Sequence, residues 1–257
     1  MRENVTTQIK IKPKGLEMGD KIRRLFRNMN PAMAVIVLIL LANNFLNNNM
    51  SFGEWMYNKA VILPAIIIGL TFHEAAHGFA SHWLGDPTPG AQGRLTLNPL
   101  HHMDPVGFIC LMFAGFGWGV PVQIDPRYYK HRRSGELIVS LAGVSTNFAI
   151  ALGCSFIAKY MANNMTMQFY EGIGSILFDI VIYMVGINIV LMIFNLLPVP
   201  PLDGFGVLTQ IFRLDRYDWY WPLYSKGSLI LMAMIIFDVT DLIIDPLYGF
   251  FLNLLLW

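Results

Sequence analysis

Long uncharged runs of apolar residues alternate with shorter polar segments along most of this chain. The runs predict membrane-spanning helices at about 31–47, 60–82, 137–159, 173–197 and 228–245. Each run has roughly the length needed to cross about 30 Å of hydrocarbon, although the first is short. The last run, 247–257, is too short to cross unaided, and it either lies at the interface or completes a tilted return helix. The pattern predicts an all-α polytopic membrane protein with about five to six transmembrane helices.

One further apolar run, 106–121, is short for a span and carries four glycines. Its residues 115–120 alternate small and bulky side chains with a period of two, which favours an extended strand over a helix. Such backbone is tolerated at membrane depth only where protein or a watery cavity covers it. We therefore predict a small re-entrant β-hairpin or loop, with a tilted, glycine-packed helix as the alternative.

The composition supports a membrane-embedded chain. Of its 257 residues, 55% are hydrophobic and only 14% are charged, and the mean hydropathy is +0.50, whereas soluble domains carry about 25% charged residues. No polar stretch is long enough for a separate soluble domain. We predict a basic amino-terminal segment, 1–30, followed by one membrane-embedded domain, 31–257, and we expect no nucleic-acid partner. The sequence does not indicate an oligomeric state.

The distribution of lysine and arginine predicts an orientation. Sixteen of the 18 basic residues fall on one side if the segment 83–136 begins and ends on that side. Positive charge marks the cytoplasmic face, so the amino terminus is predicted to be cytoplasmic. We expect a multi-pass protein of the plasma or inner membrane.

Ionisable residues follow directly on the apolar run that ends near residue 70, in 71-TFHEAAHGFASHW-83. On a helix, His73 and His77 project from one face, one turn apart, which is the spacing for two imidazoles to share a metal ion. Glu74 beside them is able to act as a general base. Ionisable groups at membrane depth are costly, so their presence indicates a functional site.

A catalytic zinc ion needs a third protein ligand and one open position for water. His82 points roughly 140° around the helix from His77 and is a poor candidate. Three further histidines, His101, His102 and His131, lie in loops. The better candidate is Asp203 in 195-NLLPVPPLDGFG-206, because the prolines end the preceding helix and return Asp203 to the same face as His77.

Three linked segments resemble the site-2 protease family of intramembrane zinc metalloproteases. They are TFHEAAHGFASHWLGDPTPGAQGRLTLNPLHHMDPVG, GFGWGVPVQIDPRYYKHRRSGELIVSLAGVSTNFAIA and NLLPVPPLDGFGVL, and the resemblance covers about residues 66–208. It implies one Zn²⁺ per chain held by His73, His77 and Asp203, with Glu74 as the base. It also implies that Asn147 helps to position or stabilise the substrate carbonyl; Asn195 is the second choice for this role.

The resemblance further implies that 31–257 is a metalloprotease domain of the minimal form, in which 106–121 is the family's re-entrant hairpin. Its substrates would be single-pass transmembrane proteins that are cut near the cytoplasmic side of the membrane. Membrane lipid would be its other partner. Family members often have proline where this chain has Val144, and glycine where it has Phe205. Neither position is a ligand, so these departures concern local packing.

Two other functions remain open at this point. A membrane di-iron oxygenase or desaturase also uses H-x-x-x-H boxes, but it typically draws on more histidines than the six present here. A zinc transporter or an inactive zinc-binding scaffold would place ligands toward both faces, whereas the polar cluster here is predicted on one side.

Overall fold

The computed structural model describes residues 51–114 and 119–256. The predicted basic segment 1–30 and the predicted span 31–47 therefore lie outside the described residues, as do residues 115–118. Within the described residues the chain forms nine α-helices: α1 Phe52–Trp83, α2 Thr88–Ala91, α3 Pro105–Ala114, α4 Arg132–Asn164, α5 Met167–Tyr170, α6 Ile173–Asn195, α7 Asp203–Phe212, α8 Tyr220–Ile236 and α9 Asp241–Leu256. Three short 3₁₀ turns occur at Pro99–His101, Pro126–Tyr128 and Leu214–Arg216.

Helix α1 begins eight residues earlier than the predicted start at residue 60. Ser51 and Glu54 form a capping box: the Glu54 N–H donates to Ser51 Oγ over 3.3 Å, and the Ser51 N–H donates to Glu54 Oε2 over 2.8 Å. This reciprocal pair satisfies two backbone donors at the helix start. The helix therefore begins about two turns before the predicted apolar run, and it ends at Trp83.

Helices α1, α4 and α6 are long and apolar enough to cross a membrane, by length and composition. The three pack against one another and form the centre of the described part of the chain. Their outer faces expose large apolar side chains, for example Phe156, Ile157 and Leu177. Such exposed apolar surface suits a lipid environment, which is consistent with a membrane protein. The described residues confirm an all-helical fold with three candidate spans and do not confirm the predicted count of five to six.

The predicted single helix 228–245 is wrong, because the chain turns between α8 and α9. Helix α8 ends at Ile236, and Asp238 adopts the left-handed conformation with φ 55°. The Val239 N–H then donates back to the Met234 carbonyl over 2.8 Å, which closes the turn before α9 begins. Helix α9 packs on α4 and α6, where Leu255 joins a core with Val144 and Ile189.

The predicted β-hairpin at 106–121 is not confirmed, because its first part, Pro105–Ala114, is helix α3. Asp104 accepts hydrogen bonds from the N–H groups of Val106 and Gly107, which satisfies donors at the start of this helix. The strand-like pairing in the described residues is a single antiparallel bridge between Met103 and Gly119. The residues of the predicted strand at 115–118 lie outside the described part.

The two ends of this segment nonetheless meet, as in a loop that leaves and returns at one place. The Val120 N–H donates to the His102 carbonyl over 2.8 Å, beside the Met103–Gly119 bridge. Between these ends, α3 runs back along α1, where Met112 packs in a core with Ile66 and Leu70. Farther along, Lys59 Nζ donates to the Met112 carbonyl over 2.7 Å. The segment therefore lies against the apolar part of α1.

Helix α7 is held against the start of α4 by polar contacts at its carboxyl end. The Arg133 guanidinium donates to the carbonyls of Gln210 and Ile211, the latter over 2.8 Å. Gln210 Nε2 donates to Glu136 Oε2 over 2.5 Å. A cation at the last carbonyls of a helix is favourable, because they carry the negative end of the helix dipole. These contacts fix α7, whose first residue is Asp203.

Candidate metal centre

Helix α1 presents His73 and His77 from one face, as their four-residue spacing predicts. Their Nε2 atoms lie 3.1 Å apart. The side chain of His73 is 6% exposed and that of His77 is 12% exposed. The two imidazoles therefore share one enclosed position.

Asp203 is brought to the same position by the loop after α6. The chain leaves α6 at Asn195, passes three prolines and enters α7 at Asp203. Asp203 Oδ2 lies 3.3 Å from His73 Nε2 and 3.3 Å from His77 Nε2. A carboxylate in the first turn of a helix is stabilised by the helix dipole. The predicted third residue thus joins the histidine pair, although it is 126 positions away from His77 in the chain.

The hydrogen bonds of the two imidazoles determine which nitrogens face Asp203. His77 Nδ1 lies 2.8 Å from the Val139 carbonyl, an acceptor, so this nitrogen must donate. His73 Nδ1 lies 2.7 Å from Asn147 Oδ1, and this oxygen is the acceptor because Asn147 Nδ2 contacts other oxygens. Neutral imidazoles with protonated Nδ1 atoms turn both Nε2 lone pairs toward Asp203.

These three side chains fit a metal ion. Each offers one ligand atom, and the three atoms all lie within 4.8 Å of one another. Asp203 Oδ2 is buried and has no hydrogen-bond partner among the described residues, which is costly for a carboxylate without a cation. Two imidazoles and one carboxylate with an open fourth position are a ligand set typical of catalytic zinc.

Gly143 of α4 packs directly against the histidine pair. A Cβ atom at this position would lie 2.5 Å from His73 Cε1 and 2.5 Å from His77 Nε2. No side chain fits there without moving an imidazole, so a glycine is required for this close approach.

Asn147, one turn after Gly143, is fully buried and makes three hydrogen bonds. Its Oδ1 accepts from His73 Nδ1, while its Nδ2 donates to the Gly69 carbonyl over 3.2 Å and to Asn188 Oδ1 over 2.9 Å. Both amide hydrogens are therefore used. Its hydrogen bonds favour a role in orienting His73 over the donation to a substrate carbonyl that the resemblance implies.

Glu74 lies beside the pair and contacts the segment that begins at Gly119. It is half-buried, and its Oε2 accepts a hydrogen bond from the Val122 N–H over 3.2 Å. A Cβ atom on Gly119 would lie 3.7 Å from Glu74 Oε1, so the chain passes close to the carboxylate here. The geometry leaves the Glu74 carboxylate partly accessible, as a general base requires.

The remaining histidines of the described residues do not join this group. His82 Nδ1 lies 3.2 Å from the Asp86 carbonyl, and His102 Nε2 donates to the Thr96 carbonyl over 2.7 Å. His101 and His131 lie at the ends of a 3₁₀ turn and of helix α4. Asn195, the second choice for a donor, is half-buried at the end of α6, and its one recorded hydrogen bond within the described chain goes to the Leu191 carbonyl over 2.9 Å.

Asn188, which contacts Asn147 and lies within the apolar helix α6, is not among the site residues predicted from the sequence. A signal was present, because a polar amide in a run of mean hydropathy 2.5 is costly unless it has a partner. The partner itself is not visible in the sequence.

Known proteins with similar sequences share the description "putative zinc metalloprotease". The chain is 35% identical over 198 residues to "Putative zinc metalloprotease YwhC" of Bacillus subtilis, a match that covers 76% of this chain and 90% of that protein. It is 26% identical to "Putative zinc metalloprotease Rip2" of Mycolicibacterium smegmatis, over 68% of this chain and 66% of that protein. The Rip2 protein of Mycobacterium tuberculosis is 25% identical, over 77% of this chain and 72% of that protein. No protein-family model and no solved structure matches the chain.

These names imply zinc as the cofactor, in agreement with the ligand types that the structure brings together. The similarity to YwhC extends over nine tenths of that protein, so it concerns the whole fold and not a local motif. With its H-E-x-x-H helix and a carboxylate returned from a distant segment, this chain belongs to the site-2 protease family of zinc metalloproteases.

Proposed function

We propose that this protein is an intramembrane zinc metalloprotease that hydrolyses peptide bonds of transmembrane substrate proteins near the cytoplasmic side of the membrane. The observation that carries the proposal is the convergence of His73 Nε2 and His77 Nε2 on Asp203 Oδ2, at 3.3 Å each. The names of the relatives and the three apolar helices support it.

His73, His77 and Asp203 would hold the zinc ion. When bound, zinc supplies an acidified water and polarises the scissile carbonyl. Glu74 would take the proton of the attacking water and then deliver it to the leaving amide nitrogen. Its contact with the Val122 N–H keeps the carboxylate oriented while leaving its Oε1 free of a recorded protein hydrogen bond within the described chain.

A donor to the developing oxyanion would complete the site. Asn195 is better suited to this role than Asn147, because Asn195 is half-buried and has one amide hydrogen without a recorded acceptor among the described residues. Both amide hydrogens of Asn147 already donate to protein acceptors. We therefore assign Asn147 to the orientation of His73 and Asn195 to donation.

The substrate class follows from the surroundings of the site. Apolar surface covers the outer faces of the long helices, so lipid and single-pass transmembrane proteins are the partners we propose. A transmembrane substrate must unwind locally before its backbone is accessible. The sequence pattern at 115–120 favours an extended strand, and we propose that the unwound segment of the substrate pairs with it.

The orientation of the chain is likewise proposed, with residues 1–30 and the loops around the site on the cytoplasmic side. The excess of lysine and arginine on one predicted side supports it. Reporter fusions at the amino terminus test it: a reporter that works only in the cytoplasm should be active there, and activity of an extracytoplasmic reporter instead would reverse the orientation.

The activity is tested in liposomes that contain the purified enzyme and a single-pass transmembrane reporter protein. We expect the wild-type enzyme to release a fragment whose new end, found by mass spectrometry, lies within the hydrophobic segment or at its cytoplasmic end. Glu74→Gln should retain zinc and release no fragment. Equal cleavage by both proteins, or by neither, would overturn the proposal, and two irons per chain would favour the oxygenase.

A further inference from the structure

We propose that Asn188 is a positioning residue of the metal centre, which acts through Asn147 to fix the orientation and tautomer of His73. The proposal rests on the function proposed above, because it concerns a residue assigned there as a metal ligand. Asn188 touches no metal ligand itself. It lies on α6, whereas Asn147 lies on α4 and His73 on α1, so the three side chains connect the three long helices.

The connection, which we call the relay, is a continuous chain of hydrogen bonds with one direction. Asn188 Nδ2 donates to the Met184 carbonyl over 2.8 Å, which leaves Asn188 Oδ1 as the acceptor for Asn147 Nδ2. Asn147 Oδ1 is then the acceptor for His73 Nδ1. His73 must carry its proton on Nδ1 and present the Nε2 lone pair to the metal position.

Without Asn188, the orientation of the Asn147 amide would no longer be fixed. An amide can rotate by half a turn and exchange its oxygen with its nitrogen, and two acceptors now prevent that exchange: the Gly69 carbonyl and Asn188 Oδ1. With Asn188 removed, one N–H of Asn147 is buried without a partner, and the exchanged amide becomes competitive. The exchanged amide would place an N–H against His73 Nδ1 and force the ring proton onto Nε2, where it blocks a metal ligand.

Bulk solvent does not reach these contacts. Asn147 and Asn188 are both 0% exposed. Helix α1 approaches α6 so closely at Gly69 that a Cβ atom there would lie 3.3 Å from Asn188 Oδ1. These hydrogen bonds are therefore closed to bulk solvent, where a buried polar group that loses its partner is costly.

The test is the zinc affinity of the purified full chain in detergent, measured by competition with a chromophoric chelator well below the unfolding temperature. We expect Asn188→Ala to weaken zinc binding about 10–100-fold, the range typical of lost partners behind a metal-ligating histidine. Asn188→Asp should restore affinity close to wild type, because a protonated carboxyl group again offers an acceptor to Asn147 and a donor to Met184. Ser155→Ala, which removes another buried polar side chain from the bundle, should bind zinc as the wild type does.

Three outcomes separate the relay from the function on which it rests. If His73→Ala loses zinc while Asn188→Ala binds it normally, the relay is wrong and the metal centre stands. If Asn188→Asp binds as weakly as Asn188→Ala, the acceptor is not what matters and the relay is also wrong. If His73→Ala binds zinc like the wild type, both proposals fail. Should Asn188→Ala not yield folded protein, Asn188→Ser, too short to reach Asn147, carries the same expectation.

Discussion

The Nε2 atoms of His73 and His77 lie 3.1 Å apart, and each is 3.3 Å from Asp203 Oδ2. Because both Nδ1 atoms face fixed acceptors, neutral imidazoles turn two lone pairs toward one carboxylate oxygen. Three electron-rich atoms at this separation repel one another unless a cation lies among them. We infer that this cation is the zinc ion.

Gly143→Ala should abolish tight zinc binding, because the new Cβ would lie 2.5 Å from atoms of both imidazoles. At least one ring must move, and a displaced ligand costs about a factor of 10 or more in affinity. The matched control is Gly153→Ala on the same helix, where a Cβ atom meets nothing within 4 Å. Zinc content measured by atomic emission should fall in the first variant and stay at the wild-type level in the second. Equal zinc content in the two would mean that the close approach at Gly143 is not needed.

Asn147 and Asn195 should differ in what their removal affects. Asn147→Ala removes the acceptor of His73 Nδ1 and should raise the zinc dissociation constant about 10–100-fold. Asn195→Ala should leave zinc affinity unchanged and lower the turnover number about 10²–10³-fold, as the loss of an oxyanion donor does. Chelator competition and cleavage of the transmembrane reporter at saturating zinc separate the two effects. Normal zinc affinity in Asn147→Ala would return this residue to the donor role implied by the family resemblance.

Asp86 should stabilise the connection between α1 and α4 in a pH-dependent way. It is fully buried and accepts hydrogen bonds from Ser81 Oγ and the Asp125 N–H at 2.7 Å, and from the Thr88 N–H at 2.8 Å. Burial alone would raise the pKa of Asp86, but these hydrogen bonds outweigh it and lower the pKa below its ordinary value. The stabilisation is therefore complete above the unfolded pKa of about 4 and is lost as the pH falls through the lower folded pKa.

The corresponding experiment compares Asp86→Asn with Asp218→Asn, whose side chain is exposed. At neutral pH the first should lower the free energy of unfolding by about 1–3 kcal/mol, because a donor then faces buried donors. The second should change it little. The difference between Asp86→Asn and the wild type should shrink as the pH approaches 3, and a difference that grows in acid would contradict the assigned hydrogen bonds.

Lys59 should hold helix α3 against α1. Its Nζ donates to the Met112 carbonyl over 2.7 Å and lies 5.7 Å from the centre of the Phe113 ring. Lys59→Met removes both contacts, and we expect α3 to detach more often. Cys110 on α3 is 8% exposed and reports on this opening. In a protein with Cys154 replaced by alanine, alkylation of Cys110 should be faster in Lys59→Met and near the wild-type rate in Lys59→Arg; the same rate in all three would show that Lys59 does not secure α3.

The sequence predicts the site best where the chemistry is local. The four-residue spacing of His73 and His77 determines their common face, and the prolines before Asp203 indicate a return of the chain. Asn188 could not be assigned, because its role depends on which side chains of α4 and α1 lie opposite, and apolar helices carry little information about their rotation.

The fold was predicted less well where two local signals competed. The alternation of glycines at 115–120 favours a strand, and the predicted hairpin also included the residues before it. Residues 105–114 instead form an apolar helix, and Asp104 accepts a hydrogen bond at its start. The break at Asp238 was hidden because apolar residues continue on both sides of it. The early start of α1 could have been found from Ser51 and Glu54, whose spacing matches a capping box.

The most direct measurement is the zinc content per chain of four purified proteins: the wild type, Glu74→Gln, His77→Ala and Asp203→Ala. We expect one zinc ion per chain in the wild type and in Glu74→Gln, since Glu74 is not a ligand, and almost none in the other two. A full zinc ion retained in Asp203→Ala would contradict the arrangement of ligands proposed here, because the metal would then be held without the carboxylate that the fold brings to the two histidines.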